Sequence, residues 1–224
     1  MTKDEHKGKS QSAAKKKAFL DGAYQISTTD DARAFYDAWA DSYDDEISTN
    51  GYLTPVRCAR ALAEIADDQT CPMLDIGCGT GISGLAMADA GFNTIDGSDL
   101  SQAMLDKAKT KGVYRNLWQA DLKQPFPFEV GTYHFLAAIG VIATGHMPPE
   151  TIPRLVSLLD HGGFMVFSLN DHTLENPNFE AHLHALVDSK TISILFEDYG
   201  DHLPGIGLKS KIFVLKRNLA WLNK

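Results

Sequence analysis

The chain has 224 residues, a formal net charge of -8 and 44% hydrophobic side chains, which suits one α/β domain with a buried core and leaves little room for a separate substrate domain. Six lysines against Asp4 and Glu5 fall in the first twenty residues, so residues 21–224 carry 15 basic and 27 acidic side chains. That acidic body argues against a phosphate backbone as partner, with no DNA expected, and for a small-molecule substrate. The longest apolar run, Phe135 to Ala143, falls far short of a membrane span, so no membrane association is expected.

Residues 1–25 are polar and lysine-rich, without apolar periodicity, and read as a disordered tail ahead of a single domain over residues 26–224. Asp30 and Asp31 open a helical pattern carrying Phe35, Tyr36, Trp39, Tyr43 and Ile47 on one face, a helical cap over about residues 30–50. Past Gly51 and Pro55, Val56 to Ala66 reads as a helix with Val56, Ala59, Leu62, Ala63 and Ile65 inward. Cys58, Cys71 and Cys78 are odd in number and not spaced as a metal site. They read as reduced thiols of a cytoplasmic protein, and no metal is expected.

The stretch from Met73 to Gly84 organises the rest of the chain. A short apolar strand, Pro72 to Ile76, carries Asp75 and ends in Gly77, Gly79 and Gly81 at alternate positions, with Cys78 as a small filler between them. Such a turn leaves unpaired N–H groups at a helix start, beside the crevice at the carboxyl end of a parallel sheet. Gly79-Thr-Gly81-Ile-Ser-Gly84 by itself matches the dinucleotide fingerprint. However, Gly77 also belongs to the turn, and Asp75 inside the strand suits a ligand with an ammonium group better than one with a pyrophosphate.

A helix from Ile82 to about Ala90 leads to a second strand, Asn93 to Gly97, and then to Asp99. This acid stands 22 residues beyond Gly77, where a βαβ nucleotide site keeps the carboxylate that accepts ribose hydroxyls. A third strand, Tyr114 to Gln119, delivers Asp121 and Leu122, and a buried fourth runs from Thr132 to Ile139. Met147-Pro-Pro-Glu150 starts a helix with Ile152, Leu155, Val156 and Leu159 inward, stopped at Gly162-Gly163. Strand 5 comes next over Phe164 to Leu169, then a helix bearing Phe179 and Leu183. Apolar strands near Thr191 to Phe196 and Leu208 to Leu215 close the chain as a hairpin.

Leu74-Asp-Ile-Gly-Cys-Gly-Thr-Gly81 resembles motif I of the class I S-adenosylmethionine-dependent methyltransferases, and Gly97-Ser-Asp-Leu-Ser-Gln-Ala-Met-Leu resembles that family's next motif. The Tyr36 to Tyr43 helix, Ile139 to Leu169 and the short hairpin resemble, more narrowly, the Williams-Beuren-syndrome-region methyltransferase-like group. The resemblance implies a Rossmann-like sheet of seven strands in the order 3-2-1-4-5-7-6, strand 7 antiparallel, with helices on both faces. It implies S-adenosylmethionine as cofactor and S-adenosylhomocysteine as product, held by the turn of Gly77, Cys78, Gly79 and Gly81. Asp99 would take the ribose, Asp121 and the Leu122 backbone the adenine, with Leu100 and Met104 as walls. Asp75 and the backbone at Ile139 would face the ammonium group, and Tyr36 and Tyr43 would cover the cleft. His146 is the nearest candidate for a general base, though in-line attack on a sulfonium methyl needs positioning more than acid-base chemistry. The rival readings are a non-catalytic module that binds the cofactor, and a small NAD(P)-dependent reductase, which would lack a second domain and a Tyr-x-x-x-Lys pair.

Overall fold

The computed structural model describes residues 19, 22, 26, 28–122, 124–125, 127–143 and 147–219. The expected tail lies outside these residues except at Phe19 and Gly22, and the Phe19 ring is stacked on Trp39 with centroids 5.9 Å apart. His146 also lies outside them.

Two short helices open the domain, α1 (Thr29–Trp39) and α2 (Tyr43–Thr49), followed by α3 (Thr54–Ala63). The single cap helix expected from the aromatic spacing is divided. Thr28 caps α1 by accepting from the Asp31 N–H, the chain turns at residues 40–42, and Ser42 restarts it with a hydroxyl bond to Glu46 at 2.7 Å. Trp39 at the end of α1 and Ile47 on α2 are both buried with Leu203 and Leu208. Val56, expected inward, is exposed on α3, and Cys58 and Ala61 take the inner face with Ala59 and Leu62.

The sheet then alternates with helices: β1 (Met73–Ile76), α4 (Ile82–Asp89), β2 (Ile95–Asp99), α5 (Gln102–Thr110), β3 (Tyr114–Gln119), β4 (Tyr133–Ala138), α6 (Thr151–Leu158), β5 (Leu159–Asn170), α7 (Asp171–Leu174), α8 (Asn178–Asp188), β6 (Ile192–Leu203) and β7 (Leu208–Arg217). Its order is β3-β2-β1-β4-β5-β7-β6. β1 to β5 pair in parallel, and β7 is antiparallel to both β5 and β6, as expected. The α6 helix ends before the glycine pair, because β5 already pairs with β4 at Leu159. The closing hairpin is also longer than its apolar cores, since β6 continues past Phe196 through Glu197, Asp198 and Asp201 as the edge partner of β7.

Two apolar layers clamp the sheet. One contains Leu136, Phe167, Phe179 and Leu183, the other Leu62, Met87, Phe92 and Phe135. His134 on β4 meets Asp160 of β5 across the strands, with Nδ1 3.0 Å from Oδ2.

Candidate functional site

A cavity of about 310 Å³ opens where β1, β2, β3 and β4 end, the crevice at which parallel α/β sheets receive ligands. Asp99, the last residue of β2, and Asp121, just past β3, both line it, with Leu100, Met104, Leu122, Gly77, Gly79 and Ile139. Tyr36 and Tyr43 line it from α1 and α2. Ten of the thirteen residues named from the sequence thus share one hollow.

Asp99 sits at the centre of the local hydrogen bonding. Its Oδ2 accepts from the Gly79 N–H at 2.9 Å and its Oδ1 from the Ser101 N–H at 2.9 Å, tying the glycine turn to the start of α5. Burial raises its carboxyl above the ordinary range, and the backbone donors of Ser101, Gly79 and Leu100 oppose that rise. Gly79 has φ +53° and nothing stands within 4 Å of the place a Cβ would occupy. The turn therefore presents bare backbone to the cavity.

Asp75, Cys78 and Gly81 do not line the cavity. Cys78 packs against Leu105 and Ala108, and burial drives its thiol well above the ordinary range, which keeps it neutral and inert. Gly81 starts α4 in the left-handed region. Asp75 lies behind the turn, fully buried, with Oδ2 accepting from the Ser83 hydroxyl at 2.6 Å and the Tyr114 hydroxyl at 2.8 Å. Its Oδ1 is buried without a hydrogen-bond partner.

Burial pushes the Asp75 carboxyl up to about 6, against the pull of Ser83 and Tyr114, and the nearby charge of Asp99 adds to the rise. A carboxyl raised in the folded state binds protons there that the unfolded chain has released. Its contribution is full below about 3.8 and is lost as pH rises through 6. The ligand-free protein should lose on the order of 3 kcal/mol from this group between pH 4 and pH 7. Urea unfolding of wild type and Asp75→Asn across that range checks it: the difference between the two should vary with pH, and parallel curves would refute the assignment.

Tyr114 carries no mark in the sequence pattern, yet it explains two glycines. A Cβ at Gly84 would stand 2.3 Å from the Tyr114 hydroxyl, and one at Gly97 would stand 2.9 Å from its ring. The Gly84 N–H donates to that hydroxyl at 3.1 Å. In a dinucleotide site the third glycine secures helix–strand packing and the helix start faces the pyrophosphate. Here the N–H is occupied by a side chain from β3, and the neighbouring Ser83 hydroxyl is spent on Asp75.

A second wall is likewise not foreseen from the sequence. Thr29 and Ala32 on α1, and Met147, Pro148, Glu150, Thr151 and Arg154 around the start of α6, line the same cavity. The Arg154 guanidinium donates to the Gln124 carbonyl at 3.0 Å, joining α6 to the loop after Asp121. Among the described residues, no group of histidines, cysteines and acids is arranged to hold a metal ion. No helix among them is long and apolar enough to cross a membrane.

Residues 73–163 match the model of a methyltransferase domain family. Human methyltransferase-like protein 27 is 29% identical over 157 residues, covering 69% of this chain and 63% of that protein. The bovine 18S rRNA (guanine-N(7))-methyltransferase is 37% identical over 78 residues, 35% of this chain and 27% of that one. The chain thus spans less than two thirds of the length of these relatives. Among solved structures, magnesium protoporphyrin IX methyltransferase from Synechocystis PCC 6803 with bound S-adenosylmethionine superposes with a TM-score of 0.57 at 23% identity, over 73% of this chain and 78% of that one.

The bovine relative overturns the expectation of a small-molecule substrate drawn from the acidic body. A protein named for an rRNA substrate is similar to this chain over 78 residues, and net charge averages the whole surface, whereas a substrate meets only the part around the site. The strand order and the glycine turn meet in the segment that the methyltransferase domain family matches, and in that segment the chain is similar to the class I S-adenosylmethionine-dependent methyltransferases, with methyltransferase-like protein 27 among its relatives.

Proposed function

We propose that the chain binds S-adenosylmethionine in the cavity between Asp99 and Asp121 and catalyses methyl transfer from it, with RNA as the acceptor class. The observation that carries the donor half is the convergence of two carboxylates, from the ends of β2 and β3, on a hollow floored by the bare Gly77–Gly79 backbone. An ionised carboxylate is acceptor-only, so Asp99 suits a pair of ribose hydroxyls and Asp121 an exocyclic amine. Leu100, Met104 and Leu122 supply apolar walls for a flat ring, and Tyr36 and Tyr43 cover it. Asp75, behind the turn, contributes negative potential towards a cationic ligand. When bound, the cofactor supplies an already activated methyl group, and the work left to the chain is to hold, orient and exclude water.

The acceptor half is supported by the name of the bovine relative and by the six lysines that precede α1 in the sequence, since clustered lysines attract phosphate. Incubation with S-adenosylmethionine and total RNA should release S-adenosylhomocysteine in a manner abolished by ribonuclease. Release with a protein fraction and none with RNA would overturn the acceptor. Failure to bind S-adenosylhomocysteine in calorimetry would overturn the donor, and binding without turnover on any fraction would leave a module that only holds the cofactor.

A further inference from the structure

We propose that α1 and α2 form a lid over the cavity, latched by three acids whose release sets the rate of cofactor exchange; the inference rests on S-adenosylmethionine as the donor. Asp37, Asp41 and Asp44 lie along the edge of the lid that faces α5 and the glycine turn. Asp37 accepts from the Ser101 hydroxyl and from the Ala103 N–H at 3.4 Å. Asp41 pairs with Lys107 at 2.8 Å. Asp44 pairs with Lys111 at 2.6 Å, and its other oxygen accepts from the hydroxyl of Thr80, inside the turn itself. Tyr36 and Tyr43, which line the cavity, are the immediate neighbours of Asp37 and Asp44.

The other side of the lid is fixed differently. Trp39 and Ile47 are buried with Leu203 and Leu208 at the turn of the closing hairpin, and that apolar contact is indifferent to salt. One margin is therefore anchored and the opposite margin is held by polar contacts. Exposed ion pairs are individually weak, and Asp41 is 92% exposed in its pair with Lys107. Weakness is what a cover needs if product must leave at each turnover. A ligand seated on Asp99 beneath Tyr36 and Tyr43 has to displace this margin to escape.

The test follows S-adenosylhomocysteine binding and release by stopped-flow tryptophan fluorescence, with the full chain and variants that do not line the cavity. Asp41→Asn and Lys107→Met should each speed both association and dissociation up to about fivefold at low salt, while the dissociation constant changes less than either rate. The double variant should exchange no faster than either single one. The charge swap Asp41→Lys with Lys107→Asp should restore slow exchange, and wild type should approach the single variants at about 0.5 M salt, where the Debye length falls to a few ångström. Rates unchanged by all of these, in protein that binds the ligand, would overturn the latch alone. No binding by wild type would overturn the donor and the latch with it.

Discussion

Replacing Asp99 with alanine is expected to weaken S-adenosylhomocysteine binding by about 100-fold or more, on the order of 3 kcal/mol, as read by calorimetry. Hydrogen bonds to a charged group contribute about 1.5–3 kcal/mol each, and the proposed ribose contact would make two. The substitution also frees the Gly79 and Ser101 N–H groups that the carboxylate now holds, so the turn loses its tie to α5. Asp99→Asn separates these effects, because its amide oxygen still accepts from one of the two donors while the charge is gone. Burial raises the Asp99 carboxyl, so the charged form costs the folded protein stability that would otherwise be present below the ordinary carboxyl range and is lost as pH rises through the raised value. In the asparagine variant the amide NH2 faces the second backbone donor, so affinity should fall and the tie of the turn to α5 should weaken, though less than in the alanine variant. Equal affinity in wild type and both variants would take Asp99 out of the site.

The parts of this molecule legible from sequence are those in which backbone conformation and local spacing carry the information. Alternate glycines after an apolar strand, an acid 22 residues beyond the first of them and another past the next strand predict the end of the sheet where the cavity opens. What sequence did not supply depends on packing between distant segments. Nothing adjacent to Tyr114 marks it as the residue that Gly84 and Gly97 make room for, and a fingerprint match alone does not reveal that its helix N–H is already taken. The α6 wall was hidden because Met147-Pro-Pro-Glu150 looks like an ordinary helix start. Only the fold brings Glu150 and Arg154 to the cavity that Asp121 also lines. The charge argument failed for a related reason: a total over residues 21–224 says nothing about which surface surrounds the site.

That same dependence on packing makes Gly77 the most demanding position in the turn. Gly77 has φ +64°, and a Cβ there would stand 2.4 Å from Cγ2 and 2.8 Å from Cβ of Val141. Gly77→Ala therefore meets two separate penalties. The left-handed conformation costs an L-residue about 1–2 kcal/mol, and forcing a methyl into a filled space typically costs about 1–3 kcal/mol. Together the substitution should destabilise the protein by about 2–5 kcal/mol. It should also abolish cofactor binding, because Gly77 and Val141 both line the cavity. Val141→Gly removes every side-chain atom in the clash and leaves the backbone penalty untouched. In a double-mutant cycle read by urea unfolding, it should recover the steric part of the loss, a coupling of about 1–3 kcal/mol, and no more. If Gly77→Ala were lethal to the fold only through its dihedral, the cycle would show no coupling and the proximity of β1's turn to the end of β4 would have no energetic meaning. A coupling of the expected size would show that these two strand ends are packed against each other at the wall of the cavity that both residues line.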